Sequence, residues 1–398
     1  METKRSFDIV VVGAGIFGAT AALELNQRGH QVAVLDPGPL PNPLASSTDI
    51  SKVVRIEYAD DEEYARMAER SREGFLQWNE WFGETLYHDV GVIMIRRTPM
   101  SPGEYEYENY HSLLRRGFQA DRLDSEQIAA RFPAFNPDLY VDGYYHGEAG
   151  YVESGAVVAA LLAKAEQAGV AVIAGQTVTA IKAKSGRAGG VQTAEGGTFT
   201  AGHVVIAAGA MTPYLLPELQ PYMRSVGMPV FHLKPQDPSL FEVPRLAVFS
   251  ADVSQSGWYG FPLHPKEGVV KIAHHGRGVP VHPAKDERVV TEHETKQLRQ
   301  FLAESMPPLA DAPIVYTRRC LYCDTLDEHF WIDRHPETEG LIAAAGGSGH
   351  AYKFGPLLGG WITDAVEGKS NPELGKFRWR DLPPGTPGEE ASRFRDEL

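Results

Sequence analysis

Cysteine is almost missing from this sequence: Cys320 and Cys323 are the only two among 398 residues. Such a pair builds no disulfide framework, which excludes a disulfide-stapled secreted module and makes a reducing cytoplasm the expected setting. No apolar run approaches the roughly 20 residues that a bilayer-crossing helix needs, so no membrane partner is expected. The opening METKRSFD has no apolar stretch of the secretory kind, and the closing RDEL, which resembles a retention signal, is read as coincidence without one. Basic runs are missing as well. A net charge of −14 and a pI of about 5.5 speak against nucleic acid as a partner. Internal repeats are not evident. What is present is an ordinary globular composition, 43% hydrophobic and 23% charged, in a chain long enough for two domains.

The amino-terminal end carries the first positive signal. Residues 7–12, FDIVVV, form a β-branched run suited to a buried parallel strand. It leads into Gly13-Ala14-Gly15-Ile16-Phe17-Gly18, then a helix-forming ATAALELNQRG, then a second strand over 31–35 that ends on Asp36. This is a G-x-G-x-x-G in its strand–turn–helix–strand context. Its glycines allow a tight turn, close approach to a pyrophosphate and helix-on-strand contact, and Asp36 is placed to accept from ribose hydroxyls. The unit predicts dinucleotide binding without choosing between NAD and FAD. A later strand over 203–210, HVVIAAGA, ends in small residues beside the same site and resembles the pattern of FAD-dependent oxidoreductases.

Residues 37–51 are a Pro- and Ser-rich loop long enough to wrap a cofactor, and it delivers Lys52 and Arg55. Periodicity predicts a helix over 62–82 with Tyr64, Met67, Ser71, Phe75 and Trp78 on one face, a packing face rather than a ligand cage. A strand over 90–95, short helices over 109–117 and 125–131, and a helix over 154–168 follow. From 221 to 317 the pattern turns strand-rich, broken by a helix over 292–305. This reads as a sheet-based substrate domain set between pieces of a cofactor domain. The expected boundaries are 1–85, 151–220 and 319–378 for the cofactor domain, 86–150 and 221–318 for the substrate domain, and 379–398 for a flexible tail.

Residues 320–360 hold a cysteine pair, a charged loop, an apolar strand over 341–345 and the turn GGSGHAYKFGP. That turn sets Lys353 just before a helix expected to start near Pro356, where free N–H groups and positive dipole favour an anion or carbonyl. Three roles remain open for Cys320 and Cys323: small buried hydrophobe, redox dithiol, or half a zinc site. Zinc requires about four ligands and there is no second pair. A redox pair prefers a helix start, whereas these residues read as strand.

Taken in order, the Rossmann start, the basic loop, Tyr259-Gly260-Phe261-Pro262, Lys271-Ile272-x-x-His275, Cys320-x-Tyr322 and Ser348-Gly349-His350-x-x-Lys353-Phe354 resemble the monomeric sarcosine oxidase family. Its members include pipecolate, N-methyltryptophan and fructosyl-amino-acid oxidases. The resemblance spans nearly the whole chain and implies an α/β (α+β) fold, a Rossmann-type FAD domain with an interleaved substrate domain. It further implies covalent attachment of FAD to Cys320, a substrate carboxylate held by Arg55 and Lys353, and reaction with O2 promoted by Lys271. Tyr259 and His275 would line the substrate pocket, with Lys52 also counted among the catalytic residues. The expected FAD contacts are Gly13, Ala14, Gly15, Ile16, Phe17, Gly18, Asp36, Ser46, Ser47, Lys52, Val178, Ala208, Gly209, Cys320, Gly347, Gly349, His350, Tyr352 and Lys353, with no metal. Lys52 departs from the arginine usual in the sarcosine-oxidase branch. Asp49-Ile50-Ser51-Lys52 and Cys323-Asp324-Thr325 are instead similar to fructosyl-amino-acid oxidases. The expected reaction is oxidation of an N-substituted amino acid with release of H2O2 by a monomer or weak oligomer. A fructosyl-amino-acid oxidase, or a dehydrogenase or tailoring enzyme that reacts poorly with O2, stands as the alternative.

Overall fold

The computed structural model describes residues 6–395, and two large sheets organise them. At the centre of the first is Ser6–Val12, parallel to Val32–Asp36 on one side and to Thr198–Ile206 on the other. Ala171–Ala174 and Leu341–Ala345 extend the parallel set. Ile9, Val10 and Val11 are fully buried, as a strand covered on both faces requires. The covering helices include Ile16–Gln27, which packs against both Ser154–Gln167 and Gly355–Glu367. The parallel strands end at a common edge bearing Gly13, Asp36 and Ala207, the position where open α/β sheets hold ligands.

The second, nine-stranded sheet is built on Met223–Leu233 and Ile314–Thr325, which pair antiparallel along nearly their whole length. Register sets Cys320 opposite Met228 and Lys271 opposite His232. Trp258–Gly260 pairs with Val270–His274, bringing Tyr259 beside Ala273. Phe231, Phe249, Trp258 and Phe301 fill the core beneath, with helix Glu292–Ser305 as its cover. A small sheet of Lys52–Val54, Gly150–Val152 and Tyr87–His88 completes the strand architecture.

Most expected elements form where periodicity placed them. Glu62–Phe82 starts on an Asp61 cap, ends on left-handed Gly83, and buries Tyr64, Met67, Ser71 and Phe75, with Trp78 half-buried. Three expectations need correction. The strand expected over 203–210 is Thr198–Ile206; the chain leaves the sheet at the small residues and coils through Gly209 at φ +52°. The helix expected over 109–117 is Tyr105–Arg115, because the preceding Glu104 is already the extended cap residue. The tail expected to be flexible is docked over residues 379–395, while 396–398 lie outside the described residues. Its charges find buried partners. Arg393 reaches Asp324 at 2.8 Å, Glu328 at 3.0 Å and the carbonyl of Ser348 at 2.6 Å, and Arg380 reaches Asp327 at 2.7 Å.

Candidate active site

One cavity of about 480 Å³ runs from the glycine turn to Lys353 between the two large sheets. At its first end, Gly13 adopts φ +101°, and a Cβ there would stand 2.5 Å from the carbonyl oxygen of Ala207. At Gly18 an added Cβ would stand 1.8 Å from the carbonyl oxygen of Gly13, so only glycine lets the helix close on the turn. Asp36 is fixed by the chain itself: its carboxylate accepts from Ala14 N at 2.9 Å, Gly38 N at 3.0 Å and Asn42 Nδ2 at 2.8 Å. Ser47 Oγ accepts from Ile16 N at 3.0 Å. Ser46 donates to the carbonyl of Leu321, and Arg318 donates to the carbonyls of Ala45 and Thr48, so the 37–51 loop is strapped to the second sheet.

The other end concentrates buried charge. Lys271 Nζ lies 2.7 Å from Asp49 Oδ2, donates to the Ser51 carbonyl at 2.5 Å, and stands 4.8 Å from the centre of the Phe261 ring. Burial lowers its pKa to about 8 even though Asp49 opposes that fall. Burial works the other way on Asp49, but Lys271, His232 and Lys52 hold its carboxyl well below its ordinary value. Arg55 and Lys353 both lie against the Tyr58 ring, 5.3 and 4.7 Å from its centre. Burial, and then the charge of Arg55, push the Lys353 ammonium well below its usual pKa.

His350 is held at both ring nitrogens. Its Nε2 lies 3.0 Å from the Glu328 carbonyl and so donates, which leaves Nδ1 to accept from Tyr58 OH at 3.0 Å. Tyr58 OH in turn accepts from Lys353 Nζ at 2.9 Å. Tyr352 OH donates to the Ser154 carbonyl at 2.7 Å.

Cys320 and Cys323 lie on one strand three residues apart, so they face opposite sides and cannot act as a facing dithiol. Cys320 packs with Tyr322 and Tyr259, while Cys323 packs in the other core, where burial pushes its thiol up to about 12. Lys52, Arg55, Tyr259, Lys271, His275, Cys320 and Lys353 all line the cavity, as do Gly13, Gly15, Ile16, Phe17, Asp36, Ser46, Ser47, Val178, Ala208, Gly209, Gly347, Gly349, His350 and Tyr352. Ala14 and Gly18 stand behind the turn and do not line it.

Residues that no motif announced complete the site. Glu390 Oε2 is 2.8 Å from His275 Nε2, and its Oε1 is 3.5 Å from Arg55 Nη2. Ser392 Oγ accepts from Arg55 Nη2 at 3.2 Å and donates to Glu390 at 2.6 Å. The Arg55 guanidinium also donates to the Glu57 carbonyl. Burial would lower the pKa of Arg55, but Tyr105 and Glu390 hold it raised. Only the spacing of charges in the tail could have drawn notice to Glu390, and that spacing is equally that of a solvated segment.

A family model described as FAD dependent oxidoreductase matches residues 8–365. Monomeric sarcosine oxidase of Streptomyces avermitilis is 30% identical, over 95% of this chain and 98% of its own. L-saccharopine oxidase of Schizosaccharomyces pombe is 28% identical, over 94% and 93%. In fold, the chain is similar to the fructosamine oxidase Amadoriase II of Aspergillus fumigatus, with TM-score 0.83 and 24% identity over 99% of this chain and 94% of that one.

Proposed function

The chain belongs to the FAD-dependent oxidoreductase family, and from that premise we propose an oxidase of N-substituted amino acids that passes electrons to O2 and releases H2O2. The residues present fit FAD: the glycine turn leaves a cradle that any Cβ would fill, Asp36 stands at the end of the second strand, and the cavity continues to the second sheet. FAD supplies the electron acceptance, and the chain positions, charges and desolvates. Gly13 and Gly15 would take the pyrophosphate and Asp36 the ribose, while Cys320 would anchor the flavin covalently. The first sheet and its helices would serve FAD, and the second sheet the substrate.

One observation carries the reading: two basic side chains from distant parts of the chain, Arg55 and Lys353, are both buried against the Tyr58 ring in the same cavity as Cys320 and Lys271. A carboxylate bound to both offsets their repulsion and opposes the fall that burial imposes on the Lys353 pKa. The bound anion then orients the amine-bearing carbon towards the cavity interior, and the surrounding apolar wall excludes water. Peroxide release from sarcosine, pipecolate and fructosyl-glycine tests this. Turnover of the first two is expected, and Arg55→Met is expected to cut kcat/KM by about 10- to 100-fold, the worth of a charged hydrogen bond. Peroxide from fructosyl-glycine alone moves the assignment to the fructosyl branch.

The Asp49–Lys271 pair favours a second reading. A lysine whose charge is met by a carboxylate at 2.7 Å offers less to O2, in keeping with a dehydrogenase. Substrate-reduced enzyme that persists in air would establish it.

A further inference from the structure

The carboxylate of Glu390 stands directly behind the cavity wall, held against His275 and Arg55, which line it. The segment carrying it is pinned from several sides: Arg393 to Asp324 and Glu328, Phe394 N to the His275 carbonyl at 3.0 Å, and Glu390 N to Glu328 Oε2 at 3.0 Å. Glu390 itself is 6% exposed. Burial opposes its ionisation, but the hydrogen bond from His275 and the charges of His275 and Arg55 hold its carboxyl well below the ordinary range. Among the described residues it is the carboxylate within ion-pair distance of Arg55. Glu57 meets Arg55 through its carbonyl and turns its carboxylate to His146 at 3.1 Å. Lys271 and Asp49 answer one another. The carboxylate-binding end therefore holds two basic side chains, Arg55 and Lys353, and one carboxylate within ion-pair distance of Arg55.

We propose that Glu390 is a specificity-determining residue that fixes the charge of the substrate, so that the site accepts one carboxylate on Arg55 and Lys353 and turns away a substrate bringing a second. This rests on the carboxylate docking proposed above. Counting only groups at ion-pair distance, two cations less one carboxylate leave a single positive charge for the ligand. A second ligand carboxylate would feel the charge of Glu390 from behind Arg55 and His275, where little water screens it, and like charges in that setting repel strongly. Without Glu390 the same two cations would match a dicarboxylate. Because Glu390 acts through Arg55 and does not itself line the cavity, its signature is charge discrimination rather than loss of the fold.

The test uses the flavin-loaded protein titrated with butyrate and with succinate, which share a four-carbon chain and differ in one carboxylate. Dissociation constants are read from the flavin absorbance. Wild type is expected to bind butyrate more tightly, and Glu390→Gln, which keeps the shape, to shift the ratio at least tenfold towards succinate. A merely structural role would move both ligands together and leave the ratio unchanged, which overturns the inference. Arg55→Met separates the two levels. If it weakens butyrate while Glu390→Gln leaves the ratio alone, the docking stands and the role of Glu390 falls. If it leaves butyrate unaffected, the docking reading fails and takes this inference with it. Should Glu390→Gln not fold, wild type still decides, because succinate binding as tight as butyrate overturns the proposal.

Discussion

Lys271 shows how one side chain is tuned by two opposed effects. Burial costs its charge, Asp49 at 2.7 Å restores part of it, and the balance leaves a pKa of about 8 against 10.5 for an exposed lysine. The cation is therefore present at neutral pH and lost above about 8. Between about 8 and 10.5 the unfolded chain binds the proton that the folded one has released, so this group's contribution to stability rises with pH across that window. If its charge promotes reaction with O2, peroxide production in air falls as pH rises through about 8. Lys271→Met should cut that production about 10²-fold and flatten the profile, with anaerobic reduction by substrate unaffected. Asp49→Asn removes the counter-ion, so the alkaline limb should move below 8. Stopped-flow reoxidation across pH 6–10 checks both, and a Lys271→Met rate equal to wild type makes the pair structural.

At the scale of elements, the docked tail is the largest departure from what the sequence makes visible. Strand and helix positions follow local patterns, the β-branched run before Gly13, the 3.6-residue stripe from Tyr64 to Phe75, the cap at Asp61, and so they were legible. The glycine-turn end of the cavity was legible too, because that turn is a local device. Glu390, Ser392 and Arg393 were not, since their partners lie about 70 to 340 residues away and no periodicity encodes an ion pair across such distances. Their polar, Pro- and Gly-rich surroundings give the signature of a solvated segment. Arg393 is the element's anchor. Replacing it with Met leaves Asp324 buried without its guanidinium and Glu328 with Arg395 alone, a loss of about 3–5 kcal/mol for a broken buried pair. Limited proteolysis should then cut within residues 383–395 at a protease dose that spares wild type. Equal resistance would mean that the tail is held by its backbone contacts instead.

For the whole molecule, the cavity is the joint between two sheets whose strands come from interleaved stretches of chain, and a ligand filling it contacts both. Cys320, on the second sheet, and Gly13, on the first, stand on opposite walls of this joint. A cofactor that spanned them, as proposed, would link the stability of the two sheets as well as serve the reaction. Cys320→Ala makes the linkage measurable, because the proposed covalent anchor would otherwise prevent flavin removal. Acid precipitation should leave the yellow chromophore with the wild-type pellet and release it from the variant. Binding at a hundred times the dissociation constant adds about 2.7 kcal/mol. With an unfolding entropy of about 2.1 cal/mol/K per residue, that shifts the melting temperature of a chain of this length by about 3 °C. Calorimetry of Cys320→Ala with and without added FAD should show this rise as a single transition. Two transitions, only one of which responds to FAD, would mean that the sheets unfold separately and the cofactor belongs to the first alone.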